Sequence, residues 1–200
     1  MRRIVTFNNV SADGYFAGPD GNLNWVVPDP MINKEATSGT MGKFDTILFG
    51  RRTYDMFAAF WPYALNDSPV SPDPHDSRSM TPELRSMAVF LNDARKIVFS
   101  RTLREASWKN TQIVNEFDPA KIEEMKKGSG EDMIIFGSGT IVTHLTQNRL
   151  IDEYQFVVMP IILGAGRSLL SGITANLRLK LEEAKSYPSG CVVLRYSLVK

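Results

Sequence analysis

The chain has 200 residues, of which 43% are hydrophobic and 22% are charged, as expected for a folded globular domain. A formal net charge of +1 argues against a general nucleic-acid or membrane-surface binder, and no uncharged apolar stretch is long enough to span a bilayer. The single cysteine, Cys191, excludes an intramolecular disulfide framework. We therefore expect one cytoplasmic domain over residues 1–200.

Strands and helices alternate along the first two thirds of the chain. Short apolar runs predict strands, and capped or amphipathic segments between them predict helices. The predicted strands are residues 3–10, 46–49, 96–99, 111–114 and 133–136. One helix is expected over residues 31–43, and another from a cap at Asp118 to residue 127. Three further helices are expected to begin at residue 51, at residue 82 and directly after Gly139. This alternation indicates a largely parallel sheet covered by helices on both faces.

The last third has a different pattern. Residues 154–163 and 177–186 predict long strands, and residues 191–199 predict a returning strand after the turn Tyr187-Pro188-Ser189-Gly190. The predicted fold class is therefore α/β, with a mixed, mostly parallel sheet and antiparallel C-terminal strands. Residues 62–82 carry five prolines and predict a surface excursion.

Three predicted strands end in small or cationic residues, namely Gly50-Arg51, Ser100-Arg101 and the run 137–140 (GSGT). Ligands of open sheets bind at the carboxyl ends of the strands. Glycine backbones and a helix N-terminus suit a pyrophosphate, and arginine guanidinium groups suit an additional phosphate. The pattern favours a dinucleotide with a 2′-phosphate, although Arg51 and Arg101 could each be an ordinary solvated arginine.

The order of the motifs along the chain resembles a known fold. SADG at 11–14, GNLNW at 21–25, LFGRRTY at 48–54, VFSRTL at 98–103 and FGSG at 136–139 are similar to the dihydrofolate reductase fold. LIDEY at 150–154 and VMPIILGAGR at 158–167 more specifically resemble the RibD C-terminal reductase family. The resemblance covers nearly the whole chain except about residues 64–80.

The resemblance implies an NADPH-dependent reductase and assigns its cofactor contacts by position. The phosphate contacts that it implies are Gly50, Arg51, Thr53, Ser100, Arg101, Gly137, Ser138, Gly139, Thr140 and Ile141. The contacts that it implies near the nicotinamide are Val10, Asp13, Gly14, Gly18 and Leu23. The implied reaction is hydride transfer to the ribosyl C1 of an aminopyrimidine ribose phosphate in riboflavin biosynthesis.

We expect the substrate to lie over the nicotinamide in an aromatic slot. The residues of this predicted pocket are Trp25, Asp29, Tyr54, Phe57 and Trp61, with Gly164 and Gly166 at its rim. Asp29 is the carboxylate that could fix or protonate a heterocycle there. True dihydrofolate reductases carry their acidic residue one position later, where this chain has Pro30, and folate reduction is therefore less favoured than the RibD-type reaction.

Two alternatives stay open at this point. One is a dihydrofolate or pterin reductase with Asp29 as proton donor. The other is a non-catalytic nucleotide-binding module, although the Gly137-Ser138-Gly139 motif lacks a third glycine and does not follow the first strand. No metal site is predicted. A homodimer is expected through the C-terminal strands, because their β surface exceeds what the neighbouring helices can cover.

Overall fold

The structure is a computed structural model that describes residues 1–66 and 81–199, with only the backbone of residues 37–41. The strands are β1 (Ile4–Ser11), β2 (Tyr15–Ala17), β3 (Phe44–Gly50), β4 (Arg95–Phe99), β5 (Thr111–Val114), β6 (Asp132–Phe136), β7 (Glu153–Met159), β8 (Arg167–Ser168), β9 (Leu179–Ser186) and β10 (Val192–Leu198). The helices are α1 (Pro30–Thr40), α2 (Arg51–Ala58), α3 (Pro82–Asp93), α4 (Pro119–Lys127) and α5 (Gly139–Gln147). Most of the predicted excursion at residues 62–82 lies outside the described residues.

Eight of these strands form one mixed sheet in the order β5-β4-β3-β6-β1-β7-β10-β9. The six strands from β5 to β7 run parallel to their neighbours, whereas β10 is antiparallel to both β7 and β9. The short strands β2 and β8 pair separately as an antiparallel ribbon. The predicted fold class is confirmed.

Local signals located the helix starts well. Thr81 accepts a hydrogen bond from the Leu84 N–H at 3.2 Å, and Asp118 accepts one from the Ala120 N–H at 2.9 Å, as expected of N-caps. The end of β7 was predicted wrongly, because the strand stops at Met159 instead of residue 163. Proline follows at position 160, and its missing N–H cannot continue the ladder.

The core lies on both faces of the sheet. On the first face, α4 and α5 pack Ile122 and Val142 against residues of β1, β4, β6 and β7. On the second face, α2 and α3 cover one apolar cluster, which contains Phe49 and Leu91. A separate cluster on the second face packs Ile32 of α1 against β7, and we call it the α1 cluster.

Lys126 joins α4 to the amino end of the sheet. Its Nζ is buried and donates to the Leu150 carbonyl at 2.8 Å and to Asp152 Oδ2 at 2.6 Å. Asp152 Oδ2 also accepts from the Ile4 N–H at 2.9 Å, which ties α4, β1 and the start of β7 together. We expect Lys126→Met to lower the free energy of unfolding by about 1–3 kcal/mol, because it leaves buried acceptors without their donor.

Chemical denaturation of the two variants Lys126→Met and Lys127→Met would measure this effect. Lys127 is the next residue of α4 but is exposed, so its variant should change stability by less than about 0.5 kcal/mol. Equal stability of the two variants would contradict the proposed role of Lys126.

Candidate active site

Two strand-to-helix junctions meet at the carboxyl edge of the sheet. β3 leads directly into α2, and its neighbour β6 leads through Gly137 and Ser138 into α5. A Cβ placed on Gly50 would collide with Ser138 Oγ and lie 3.3 Å from Ser138 Cβ, and one placed on Gly137 would lie 3.8 Å from Thr53 Oγ1. The structure therefore brings Gly50, Thr53, Gly137 and Ser138 together.

The N-termini of α2 and α5 have no side-chain cap. Gly50 precedes α2, and Ser138 precedes α5 without a hydrogen bond from its side chain to the helix. In contrast, α1, α3 and α4 are each capped, with Asp29 accepting from the Met31 and Ile32 N–H groups at the start of α1. Uncapped helix starts present free N–H groups and partial positive charge, and two of them side by side suit an anion such as a pyrophosphate.

The backbone between β6 and α5 adopts an uncommon conformation. Gly137 and Ser138 have φ values of +63° and +67°, so two consecutive residues lie in the left-handed region. The first hydrogen bond of α5 runs from the Val142 N–H to the Ser138 carbonyl at 3.0 Å. The N–H groups of Gly139, Thr140 and Ile141 therefore have no intrahelical acceptor.

Packing explains two of the glycines that we predicted to contact a cofactor. Gly50 leaves room for the side chain of Ser138, and a Cβ on Gly139 would approach Phe16 of β2 to 2.8 Å. At both positions a Cβ would meet the end of a neighbouring side chain, so packing favours glycine whether or not a ligand is present. A glycine can leave space for a ligand or for a neighbouring side chain, and the sequence alone does not distinguish these two causes.

The predicted phosphate-binding side chains differ in what they contact. Arg51 uses its Nε to pair with Asp55 Oδ2 at 2.6 Å, one helical turn along α2. Ser100 Oγ accepts from the Thr102 and Leu103 N–H groups at 3.2 and 3.0 Å and so holds the turn after β4. Arg101 is exposed, and its side chain makes no hydrogen bond or ion pair with residues in the described parts of the chain. Among the described residues, nothing occupies the Arg101 guanidinium group, which suits an anion.

Hydrogen bonds of Asp13 hold the loop after β1 against the segment that follows β7. Asp13 accepts hydrogen bonds from the Ser11 hydroxyl at 2.6 Å and from the Leu163 and Gly164 N–H groups at 3.1 and 2.8 Å. These bonds, that of Ser11 above all, hold the pKa of Asp13 below its ordinary value. Asp13 thus anchors a loop, and Gly14 beside it has φ +87° and open space around it.

Three other residues predicted near the nicotinamide precede or follow this loop in the chain. Val10 packs into the core of the first face, and Gly18 closes a turn by accepting a hydrogen bond from the Gly21 N–H at 2.9 Å. Leu23 is 37% exposed. Leu23 is therefore the most exposed of the three residues.

The aromatic residues predicted for the substrate divide between two clusters. Tyr54, Phe57 and Trp61 belong to the cluster under α2 and α3, whereas Trp25 packs against the α1 cluster. Tyr54 is only 3% exposed, and its hydroxyl accepts from the Trp108 N–H at 3.4 Å. Tyr54 is therefore a core residue in this structure, while Phe57 and Trp61 are half-buried.

Asp29 is a helix cap with a second partner in the hairpin between β9 and β10. Its Oδ1 accepts from the Met31 and Ile32 N–H groups at 2.8 and 3.1 Å, and its Oδ2 accepts from the Ser189 hydroxyl. The Ser189 bond, supported by the two N–H groups, lowers the pKa of Asp29 below its ordinary value. An ionised, fully bonded carboxylate is poorly suited to donate a proton.

The two rim glycines have different surroundings. Gly164 has φ +71°, and no atom lies within 4 Å of the point where a Cβ would stand, so this glycine is open to a ligand. A Cβ on Gly166 would collide with the Ala17 carbonyl oxygen of β2. Gly166 therefore keeps the segment after β7 in contact with β2.

Sequence reasoning missed the residues of β1 and β6 that lie on the second face of the sheet. Phe7 packs against both clusters of the second face, so β1 lies between them. Phe136 at the end of β6 stacks on Phe57, with ring centroids 5.8 Å apart and an interplanar angle of 27°. Asn9 follows Phe7 on the same face of β1, because side chains alternate along a strand. That alternation was readable from the sequence, but the two flanking clusters were not.

Within the described residues, no helix is long and apolar enough to cross a membrane. The same residues contain no group of three or more His, Cys, Asp or Glu side chains that could hold a metal ion.

Comparison with known proteins places the chain among proteins of one family. The model of the RibD C-terminal domain family matches residues 2–193. Uncharacterized protein YyaP of Bacillus subtilis (strain 168) is 26% identical over 196 residues, which are 98% of this chain and 95% of that protein.

Two solved structures have a similar fold. A crystal structure from Shewanella sp. PV-4 has a TM-score of 0.72 at 21% identity and covers 99% of both chains. The diaminohydroxyphosphoribosylaminopyrimidine deaminase/5-amino-6-(5-phosphoribosylamino)uracil reductase of Thermotoga maritima has a TM-score of 0.63 at 11% identity. That match covers 99% of this chain but 57% of the Thermotoga chain, so the chain spans little more than half of that protein.

Proposed function

The chain belongs to the RibD C-terminal domain family, and we propose that it is an NADPH-dependent reductase of a small heterocyclic or ribosyl substrate. In its most specific form, the substrate is 5-amino-6-(5-phosphoribosylamino)uracil, as in the name of the Thermotoga protein. NADPH supplies the hydride when it is bound. The roles of the protein are to bind the cofactor, to orient the substrate above it and to exclude water.

One observation supports this proposal more than any other. The uncapped N-termini of α2 and α5 lie side by side at adjacent strand ends, while the other helices are capped by side chains. This arrangement leaves free N–H groups for a pyrophosphate. The exposed Arg101 follows the neighbouring strand β4 and can bind a phosphate at the adenosine end.

The two alternative functions are less well supported. A dihydrofolate or pterin reductase would need Asp29 as its proton donor, yet hydrogen bonds to the carboxylate lower the pKa of that residue. A non-catalytic nucleotide-binding module would not need the half-buried aromatic side chains of Phe57, Trp61 and Phe136 on the second face of the sheet. Loss of NADPH absorbance with a panel of pyrimidine, pterin and folate substrates would separate the three functions.

We expect NADPH to bind more tightly than NADH, and Arg101→Ala to remove most of that preference. Loss of a charge-assisted bond to the 2′-phosphate should cost roughly 1.5–3 kcal/mol, or about ten- to a hundredfold in affinity. Titration of each cofactor with fluorescence detection would give both dissociation constants. Arg104→Ala is the control, because Arg104 is also exposed and lies in the same connection after β4.

The proposal fails if the wild-type chain binds neither cofactor. The role of Arg101 fails if the Arg101→Ala variant binds NADPH as tightly as the wild-type chain does.

We also propose that the protein is a homodimer that uses the first face of β9 and β10. Leu181 pairs with Tyr196 and Leu179 with Leu198, which forms an apolar surface at the edge of the sheet. Leu181 is 52% exposed and Leu179 is 36% exposed. Their side chains are nevertheless on the first face, which carries core residues elsewhere in the sheet. A second copy would cover this surface and the free edge of β9.

Light scattering at micromolar concentration should give twice the chain mass of 22.4 kDa. Leu181→Asp should shift the mass toward the monomer, and Lys180→Gln, on the opposite face of β9, should not. A wild-type mass near that of a single chain would refute the proposed dimer.

A further inference from the structure

Arg167 is a half-buried cation whose hydrogen-bond donors the protein itself does not use. It lies in β8, and its guanidinium group makes no hydrogen bond or ion pair with any residue that the structure describes. Asp13 and Asp20 lie before and after β2, yet each bonds to other groups and neither pairs with Arg167. A guanidinium group has several N–H donors, and a partly buried position without acceptors for them is unfavourable.

The turn after β2 supports this guanidinium group on one side. A Cβ placed on Gly21 would lie 3.2, 3.2 and 3.3 Å from the Cζ, Nη1 and Nη2 atoms of Arg167. These nearly equal distances place Gly21 against the flat face of the group instead of its edge. Gly21 has φ +88°, and its N–H donates to the Gly18 carbonyl at 2.9 Å. The turn thus supports Arg167 by its face and leaves the N–H edges of the group unbonded.

The ribbon of β2 and β8 lies against the first turn of α5. A Cβ on Gly139 would approach Phe16 Cζ to 2.8 Å and the Leu169 carbonyl oxygen to 3.7 Å. The Leu169 carbonyl also accepts a hydrogen bond from the Thr143 hydroxyl at 3.1 Å. Arg167 precedes Leu169 by two residues, so their Cα atoms are at most about 7 Å apart. The ribbon therefore places Arg167 beside the uncapped start of α5.

The start of α5 offers hydrogen-bond donors but no positive side chain. Residues 137–141 (GSGTI) are uncharged. At the start of α2, Arg51 already pairs with Asp55 at 2.6 Å. Arg101 follows β4, which β3 separates from β6. A pyrophosphate carries negative charge on both of its phosphates, and guanidinium groups suit phosphate oxygens because they can donate two parallel hydrogen bonds.

We propose that Arg167 binds the pyrophosphate of the dinucleotide from the side of the β2–β8 ribbon. Its unbonded N–H groups donate to phosphate oxygens, while the free N–H groups of α5 donate to others. This inference rests on the proposed function, since it adds a binding residue to the cofactor site. The pyrophosphate is common to NADPH and NADH, so Arg167 contributes to the affinity for both cofactors, whereas Arg101 distinguishes between them.

Two cofactors and one fragment test this role. Fluorescence titration with NADPH and NADH should show that Arg167→Met weakens the binding of both by the same factor, about tenfold or more. The ratio of the two dissociation constants should therefore equal that of the wild-type chain. Adenosine 2′-monophosphate has the 2′-phosphate but no pyrophosphate, and its affinity, measured by calorimetry, should be the same for the variant and the wild-type chain.

The control variants separate a direct contact from a change in the fold. Arg178→Met should leave both cofactor affinities unchanged, because Arg178 is exposed, precedes β9 and has no side-chain partner among the described residues. Arg167→Lys keeps the charge but not the planar fork, so it should retain part of the affinity, and it serves if Arg167→Met does not fold. Thermal melting checks that each variant is folded.

The outcomes distinguish this inference from the proposed function. Unchanged affinity for both cofactors in a folded Arg167→Met variant, or a loss confined to NADPH, would overturn the role of Arg167. If the wild-type chain binds neither cofactor, the proposed function fails, and titration with inorganic pyrophosphate tests the anion site by itself. Weaker pyrophosphate binding by Arg167→Met than by the wild-type chain would then support the site, and equal or absent binding would overturn it.

Discussion

Replacing Gly50 with valine should weaken NADPH binding a hundredfold or more and destabilise the fold by about 3 kcal/mol. The cause is the contact between the two helix starts, where a Cβ on Gly50 would collide with Ser138 Oγ and lie 3.4 Å from Ile141 Cγ1. A branched side chain would crowd Ser138 and Ile141 at the start of α5, and we expect the two helix starts to move apart. The free N–H groups of the two helices would then lose the arrangement that the proposed pyrophosphate site needs. Fluorescence titration and chemical denaturation would measure the two effects independently.

A double-mutant cycle tests whether the contact with Ser138 is the cause. Gly50→Ala should cost about 1–3 kcal/mol, and adding Ser138→Gly should recover most of it. Ser138→Gly alone should be nearly neutral or stabilising, because glycine adopts the left-handed conformation at φ +67° more readily than serine does. Strictly additive effects of the two substitutions would show that Gly50 matters for another reason.

Much of the fold could be predicted from the sequence because its signals are local. The caps at Thr81 and Asp118 sit directly before their helices, and the apolar runs of β3, β4 and β6 each end at the small residue that begins a turn. Strand ends of a parallel sheet necessarily converge on one edge. The position of the candidate site therefore followed from the order of the elements alone.

The contacts within the site could not be predicted in the same way, because they join distant parts of the chain. Nothing near Gly50 in the sequence indicates that Ser138 fills the space beside it. The spacing of Tyr54 and Phe57 along a helix is equally typical of residues buried in the core and of residues that line a pocket. Which one is buried depends on how α2 packs on the second face, and here Tyr54 is buried beneath Trp108 and Phe49.

Asp29 illustrates a further ambiguity. An aspartate before a helix is both a common N-cap and a common acid in an active site, and the sequence offers no means of choosing. The structure adds the Ser189 hydroxyl from the β9–β10 hairpin, which stabilises the charged form. This long-range contact holds the pKa of Asp29 below its ordinary value and disfavours its use as a proton donor.

Lys96→Met should lower the free energy of unfolding by about 3–5 kcal/mol, because Lys96 completes the end of α3 from inside the core. Its side chain is fully buried, and Nζ donates to the carbonyls of Leu91, Asn92 and Ala94 at 2.6, 3.2 and 2.7 Å. The charge also lies 4.5 Å from the centre of the Trp108 ring. Methionine fills a similar volume but leaves these carbonyls without their donor. Denaturation at pH 7 would measure the loss.

The same lysine should give stability a distinctive dependence on pH. Burial, assisted by the positive charge of Lys109 and opposed by Asp93, lowers the pKa of Lys96 from 10.5 to about 8. Between pH 8 and 10.5 the unfolded chain therefore binds a proton that the folded chain has released. The contribution of Lys96 to the free energy of unfolding must therefore rise between pH 8 and pH 10.5 and stay constant below pH 8.

Comparison of the wild-type chain with Lys96→Met isolates this effect, because other titrating groups cancel in the difference between the two. That difference should grow from pH 8 to pH 10.5 by at most about 3 kcal/mol, given roughly 1.4 kcal/mol for each unit of pKa shift. Lys127→Met is the control, since Lys127 is exposed and lies on α4. A difference that stays flat or shrinks over this range would show that the buried ammonium group keeps its proton, held by the three carbonyls at the end of α3.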